Sequence, residues 1–179
     1  KFKKIKLNNK FIKKKLKKKI EKISKDEWTR IQGEIYGKRI FEAKVFSNFI
    51  KFLNFALYNN IKLFIISHKT KYPLIGEKTN LHMCAKKFLD KKIGSKYFKI
   101  NKNLFFENTK EKKIARIKNQ ECDFFIDDLE KVLSDKKFPN DTEGLFFNEK
   151  RNKNFKNFSN SNELIIFFKK KLAEKNNFN

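Results

Sequence analysis

Apolar positions change their rhythm along the chain, and that rhythm predicts helices alternating with strands. In residues 46–58 the apolar side chains recur at helical spacing, and Ser47 is the expected N-cap of this helix. Four short and mostly apolar runs predict strands, at residues 61–66, 104–107, 123–126 and 144–147. Near-continuous apolar runs are typical of parallel strands that are covered on both faces. The pattern therefore predicts an α/β fold, a layered structure built on an open parallel sheet.

Amphipathic stretches between and after these strands predict the covering helices. They lie at residues 80–91, about 109–119, 129–133 and 163–175. Either Asn108 or Thr109 is the expected cap of the second of these helices. Residues 150–162 are polar and rich in Asn, so we expect a loop there.

The first forty residues carry a different pattern. Residues 1–25 are rich in Lys, with apolar positions at helical spacing, and predict one basic amphipathic helix that packs on the rest of the protein. A helix lying on a membrane surface is the weaker alternative. Residues 26–40 hold the only Trp and two of the five glycines, in an irregular pattern.

Length and composition favour one folded domain. The chain has 179 residues, is 39% hydrophobic and contains 22 Phe, which is enough for a sizeable core. A net charge of +25 would ordinarily point to nucleic acid or an anionic membrane. However, Lys, Asn, Ile and Phe are abundant along the whole chain, as AT-rich codons would produce. The charge alone therefore does not predict a nucleic-acid partner.

Cysteine usage and hydropathy predict a cytoplasmic protein. The two cysteines, Cys84 and Cys122, lie far apart and outside any metal-binding spacing, so we expect no disulfide framework. No apolar run reaches the roughly 18 residues of a membrane span. The basic first residues lack the apolar core of a signal peptide. The chain does not begin with Met, which is what we expect if it is the downstream part of a longer protein.

Two of the predicted strands stop at side chains that suit phosphate chemistry. Ser67 follows the first strand, and Asp127 and Asp128 follow the third. Ligands of open parallel sheets bind outside the carboxyl ends of the strands. There a hydroxyl can donate to a phosphate oxygen, and paired carboxylates can hold Mg²⁺. Lys110, at the start of the intervening helix, could neutralise charge on a transferring phosphoryl group.

Each of these signals also has an ordinary structural explanation. Serine after a strand is commonly a turn residue, aspartates commonly cap the next helix, and one Lys among so many carries little weight. For His68, a solvated loop position and a place at the substrate entrance are equally open. For His82, a structural or solvated role is the better prediction. Trp28 and Tyr36 fit packing slightly better than contact with a substrate.

Taken in chain order, the segments resemble the haloacid dehalogenase-like superfamily of phosphohydrolases. Its second motif, Ser or Thr after an apolar strand, is matched by FIIS ending at Ser67. Its third motif, a Lys near a helix start, is best matched by Lys110, with Lys113 the second choice. Its fourth, an acidic pair after an apolar strand, is matched by FFIDD with Asp127 and Asp128.

Two longer segments resemble an uncharacterised bacterial subgroup of the superfamily more specifically. They are WTRIQGEIYG at residues 28–37 and SHKTKYPLIG at residues 67–76. The second segment implies that His68, Lys69 and Thr70 line the substrate entrance. The resemblance covers about residues 27–148.

The resemblance implies a Mg²⁺-dependent enzyme that releases phosphate from a small phosphorylated substrate. Residues 1–43 would be part of an α-helical cap, and residues 44–179 a Rossmann-like core. Ser67 and Lys110 would hold the phosphoryl oxygens, while Asp127 and Asp128 would serve the metal. The superfamily's first motif, a strand followed by DxDx[TV] that carries the nucleophilic Asp, does not occur in the chain. That strand is central in the superfamily, between the strands ending at Ser67 and Asp127, so we expect a gap in the sheet. We also expect this chain to be a truncated fragment that does not turn over substrate by itself.

Two alternatives belong to other functional classes. One is a basic nucleic-acid-binding protein that uses the Lys-rich N-terminal helix, with binding that weakens steeply with salt. Few arginines and the absence of an aromatic RNA-binding motif argue against it. The other is an inactive relative that still binds phosphorylated ligands. The sequence leaves open the substrate, the oligomeric state, the choice between Lys110 and Lys113, and whether the missing motif lies upstream of Lys1.

Overall fold

The computed structural model describes residues 12–177, so part of the predicted N-terminal helix, residues 1–11, lies outside the described residues. Helices and strands alternate through most of this range, as the pattern of apolar runs predicts. The helices are α1 Ile12–Glu21, α2 Lys25–Tyr36, the short 3-10 helix Ile40–Glu42, α3 Phe49–Tyr58, α4 Leu81–Lys92, α5 Lys110–Asn119, α6 Glu130–Leu133 and α7 Ser161–Asn176. The strands are β1 Ile65–His68, β2 Leu104–Glu107, β3 Phe124–Asp127, β4 Glu143–Phe147 and β5 Lys156–Phe158.

Short polar side chains fix where several helices begin. Asn80 accepts a hydrogen bond from the Met83 amide at the start of α4, and Thr109 accepts one from the Lys112 amide at the start of α5. Of the two predicted caps of α5, Thr109 is therefore the one used.

The structure differs from what the sequence pattern indicates at three places. Residues 26–40 are mostly helical, because Ser24 caps α2 through the Glu27 amide and the apolar face of this helix packs on α4. The cap of α3 is Asn48 in a left-handed conformation, not Ser47. Residues 150–162 contain β5, whose parallel pairing with β4 adds a strand within the expected loop.

The strands form two parallel sheets, which confirms the α/β class and the parallel pairing. β1 pairs with β2, and the second sheet has the order β3–β4–β5. Side chains of β1 to β4 alternate between two apolar clusters on opposite faces. The first cluster takes Ile65, Leu104, Phe124 and Leu145. The second takes Ile66, Phe105, Phe125 and Phe146.

Helices cover both faces and tie the two sheets into one molecule. α3 and α7 pack on each other and bury Leu53 and Phe168 in the first cluster. α5 and α6 bury Ile117 and Val132 in the second cluster. Because each cluster includes strands from both sheets, the two sheets share one core on each face.

α5 makes contacts with both sheets. α5 packs on β1 and β2. From there Arg116 pairs with Glu107 at the end of β2, and Lys113 pairs with Asp127 at the end of β3. α5 therefore spans the division between the two sheets, whose own orders are β1–β2 and β3–β4–β5. Within residues 12–177 no backbone hydrogen bond joins β1 to β3.

Candidate functional site

A buried ion pair lies at the carboxyl end of β3. The ammonium of Lys113 contacts the Oδ2 atom of Asp127, and both side chains are buried. The Oδ1 atom of Asp127 accepts a hydrogen bond from the Leu129 amide at 2.9 Å. Lys113 also lies 5.2 Å from the centre of the Phe125 ring. Both carboxylate oxygens of Asp127 are therefore engaged inside the protein.

Lys110, the lysine that the sequence favoured, lies elsewhere. It is the first residue of α5 and donates to the Asp135 carboxylate, which also accepts from the Lys137 amide. The hydrogen bond from Lys110 holds the pKa of Asp135 below its usual value, and the same contact raises the pKa of Lys110. Lys113, one helical turn later, is the lysine that reaches Asp127.

Asp128 differs from Asp127 in both its exposure and its contacts. Its side chain is exposed, and it makes no hydrogen bond or ion pair with any described residue. Within residues 12–177 no group of three His, Cys, Asp or Glu side chains is placed to hold a metal ion. The acidic pair therefore fits Mg²⁺ only in part. The charge of Asp127 is already neutralised by Lys113, and Asp128 has no second carboxylate beside it that is free to bind the ion.

The end of β1 carries Ser67 and His68. Ser67 is half-buried in β1 and pairs in register with Phe106 of β2. His68 is exposed, and its Nε2 atom lies 3.0 Å from the carbonyl oxygen of Asn108, to which it can donate. Ser67 and Asp127 thus lie near the carboxyl ends of β1 and β3, one strand from each sheet.

Lys69 and Thr70 both contact other parts of the protein. The Lys69 ammonium lies 4.5 Å from the centre of the Tyr36 ring on α2, and burial lowers its pKa. No carboxylate of residues 12–177 pairs with Lys69, unlike Lys110 and Lys113. Thr70 donates from Oγ1 to the Tyr72 carbonyl at 2.8 Å, which closes the turn.

His82 has a structural role, as the sequence predicts. Its Nε2 atom lies 2.8 Å from the Lys69 carbonyl oxygen, and its ring stacks on Phe106 at 4.7 Å. These contacts fix the backbone of Lys69 between β1 and α4. Trp28 is buried, as expected for packing, whereas Tyr36 is partly exposed beneath Lys69.

The two longer segments of the sequence pack on each other, which the sequence alone did not reveal. A Cβ atom on Gly33 would lie 2.8 Å from the Pro73 Cβ, so only glycine allows this approach of α2 to the loop after β1. Lys38 pairs with Glu77 on the outside of the same contact. The signal that could have indicated it is Gly33, because a glycine inside a helix often marks close packing.

Comparisons with known proteins identify no relative. No family model, no curated protein and no solved structure matches this chain. In the described part of the chain, each helix is too short or too polar to cross a membrane.

Proposed function

We propose that this chain is the part of a phosphohydrolase that holds and neutralises the phosphoryl group, with the nucleophile supplied by polypeptide upstream of Lys1. The observation that carries the proposal is the buried Lys113–Asp127 pair beside an exposed Asp128, at the strand edge where Ser67 also lies. A buried lysine whose position is fixed by a carboxylate provides preorganised positive charge. An open sheet presents such groups outside its strand ends, where ligands bind.

The proposed reaction assigns a role to each group. A carboxylate oxygen from the upstream segment attacks phosphorus, and the bond from phosphorus to the leaving oxygen breaks as that oxygen gains a proton. Water then releases phosphate from the acyl phosphate. The Ser67 hydroxyl donates to a phosphoryl oxygen, and the Lys113 ammonium offsets the charge that the oxygens carry.

Magnesium has only part of a site in the described residues. Asp128 is the one member of the acidic pair with free oxygens, so further ligands would have to come from the same upstream segment as the nucleophile. When bound, the ion would offset phosphate charge. The proposed roles of Ser67 and Lys113 do not depend on it.

The test compares this chain with the product of the same reading frame extended upstream. Both proteins are assayed for phosphate release from a panel of small phosphomonoesters, with Mg²⁺ and with EDTA. We expect no turnover by residues 1–179 and Mg²⁺-dependent turnover by the extended protein. An extended protein that contains no apolar strand ending in two aspartates, or that folds and releases no phosphate, would overturn the proposal.

Two lysine variants of the extended protein test the assignment within α5. Lys113→Ala is expected to lower kcat by about 10²-fold or more, as removal of a charge-stabilising donor does in other enzymes. Lys110→Ala is the matched control, since that lysine pairs with Asp135 away from Asp127, and kcat is expected to change little. Equal losses in both variants would contradict the assignment to Lys113.

A further inference from the structure

One lysine differs from the other sheltered lysines in its contacts. Among the lysines whose burial the structure describes, five are not exposed. Four of these pair with a carboxylate, namely Lys86 with Asp90, Lys110 with Asp135, Lys113 with Asp127 and Lys171 with Glu174. The fifth is Lys69, which is half-buried and pairs with no carboxylate of the described chain.

The surroundings of the Lys69 ammonium compensate its charge only in part. The Tyr36 ring lies 4.5 Å away, and a ring face attracts a cation without carrying a net charge. In residues 12–177 the titratable group that acts on this ammonium is the Cys84 thiol of α4, and burial lowers the pKa of Lys69. A half-buried ammonium without a counter-ion is therefore suited to an anion that comes from outside the chain.

The position of Lys69 relates it to Ser67. The Lys69 amide donates to the Glu107 carbonyl at 2.8 Å, so the extended pairing of β1 with β2 continues to this residue. Side chains two residues apart on a strand point to the same face, and their Cα atoms lie about 6.6 Å apart. A small ligand that contacts Ser67 at one end can therefore reach Lys69 with its other end.

The two neighbours of Lys69 engage backbone carbonyls instead. The Nε2 atom of His68 lies 3.0 Å from the Asn108 carbonyl oxygen, and the Thr70 hydroxyl donates to the Tyr72 carbonyl at 2.8 Å. Of residues 68–70, Lys69 is thus the one that offers a charged group for recognition.

We propose that the substrate carries a second negatively charged group, a carboxylate or a further phosphate, which the Lys69 ammonium binds while Ser67 contacts the phosphoryl group. This inference rests on the proposed function, since it takes Ser67 as the phosphoryl contact. It narrows the substrate class to small phosphomonoesters with an anionic group at each end.

Phosphonates that resist hydrolysis test the second contact without turnover. The probes are ω-phosphonoalkanoates and alkane bisphosphonates of increasing chain length, and alkylphosphonates of equal length, which have an uncharged end, are the controls. Isothermal titration calorimetry measures binding to the full 179-residue chain, and NMR follows the side-chain nitrogen of Lys69. We expect a charged end to tighten binding by about tenfold or more and to shift the Lys69 resonance, because hydrogen bonds between charged groups are strong. The tighter of the two charged ends tells whether the second group is a carboxylate or a phosphate.

Two lysine variants locate the contact. Lys69→Met keeps the apolar stem and should abolish the preference for a charged end. Lys71→Met is the matched control, because it removes the same charge from an exposed position in the same loop, and it should keep the preference. The inference is overturned if charged and uncharged probes bind the wild type equally, if Lys69→Met retains the preference, or if both variants lose it equally.

The phosphate-release assay separates this inference from the proposed hydrolase. A preference among phosphonates that depends on Lys69, with no turnover by the upstream-extended protein, would refute the hydrolase and support the anion contact. Turnover by the extended protein with a kcat/KM that is unaffected by Lys69→Met and by charge on the leaving group would refute the anion contact and support the hydrolase.

Discussion

Burial separates two lysines of α5 that look alike in the sequence. Lys113 is buried against Asp127, whereas Lys110 pairs with Asp135 near the surface. The sequence favoured Lys110 because it stands first in the helix, but it gave no information on which turn of α5 faces β3. The packing of α5 decides between the two lysines. Ile114 and Ile117 are on the buried side of the helix, and Lys113 is buried together with them.

Removing the ammonium of Lys113 should be strongly destabilising. Lys113→Met keeps the apolar stem but leaves the Asp127 carboxylate buried without its cation, which costs about 3–5 kcal/mol in comparable pairs. Urea unfolding at neutral pH measures the loss. Adding Asp127→Asn should recover part of it, because a neutral amide needs no counter-ion. Lys110→Met is the control and should change the urea midpoint far less, and an equal change in both would show that the Lys113 pair is not desolvated.

Lys69 should make stability depend on pH in the alkaline range. Burial lowers its pKa below 10.5, so at high pH the folded protein loses this proton before the unfolded chain does. The unfolded state then binds more protons, and stability gains a contribution that grows as pH rises toward 10.5. The free energy of unfolding of the wild type minus that of Lys69→Met should therefore increase between about pH 8 and pH 10.5. A difference that stays flat or falls would mean that Lys69 is not desolvated under Tyr36.

At the scale of elements, close packing of α2 on the loop after β1 reverses an ordinary mutational effect. Gly→Ala inside a helix normally stabilises by about 1 kcal/mol. At Gly33 the added Cβ would meet the Pro73 Cβ at 2.8 Å, so Gly33→Ala should instead destabilise by about 1–3 kcal/mol. Thermal or urea unfolding measures the sign of the change.

Two further variants control this prediction. Glu34→Ala, on the exposed side of α2, should be close to neutral. Changing Pro73→Gly in the Gly33→Ala background should recover part of the stability, because it removes the atoms that clash. A stabilising Gly33→Ala would show that α2 and the loop do not meet as closely as 2.8 Å.

Periodicity predicted most elements but failed where contacts decide. The strand Leu104–Glu107 and the helix Leu81–Lys92 follow from their apolar runs and from short polar caps such as Asn80 and Thr109. α2 does not show in the pattern because Gly33, inside the helix, serves packing on the loop after β1 rather than helix propensity. β5 was missed because a three-residue edge strand is stabilised by its partner β4 and leaves little trace in the pattern.

At the scale of the whole molecule, the apolar clusters compensate for the divided sheet. No backbone hydrogen bond in the described chain joins β1 to β3, yet each cluster takes side chains from both sheets. Leu104 of β2 and Leu145 of β4 are both fully buried in one cluster, together with Leu53 of α3. Packing rather than strand pairing therefore connects the halves, and unfolding should be a single cooperative transition.

Truncating one shared side chain tests whether the halves unfold together. Leu104→Ala should cost about 2–5 kcal/mol through lost burial and the cavity it leaves. Native-state hydrogen exchange then measures the free energy of opening at individual amides. For the amides that exchange only through global unfolding, this free energy should fall by the same amount in β4 as in β2. Leu74→Ala, at an exposed position, is the control and should change neither. If only β1 and β2 respond, the sheets open independently and the shared clusters do not couple them; if β4 responds equally, one core spans the division despite the missing hydrogen bonds.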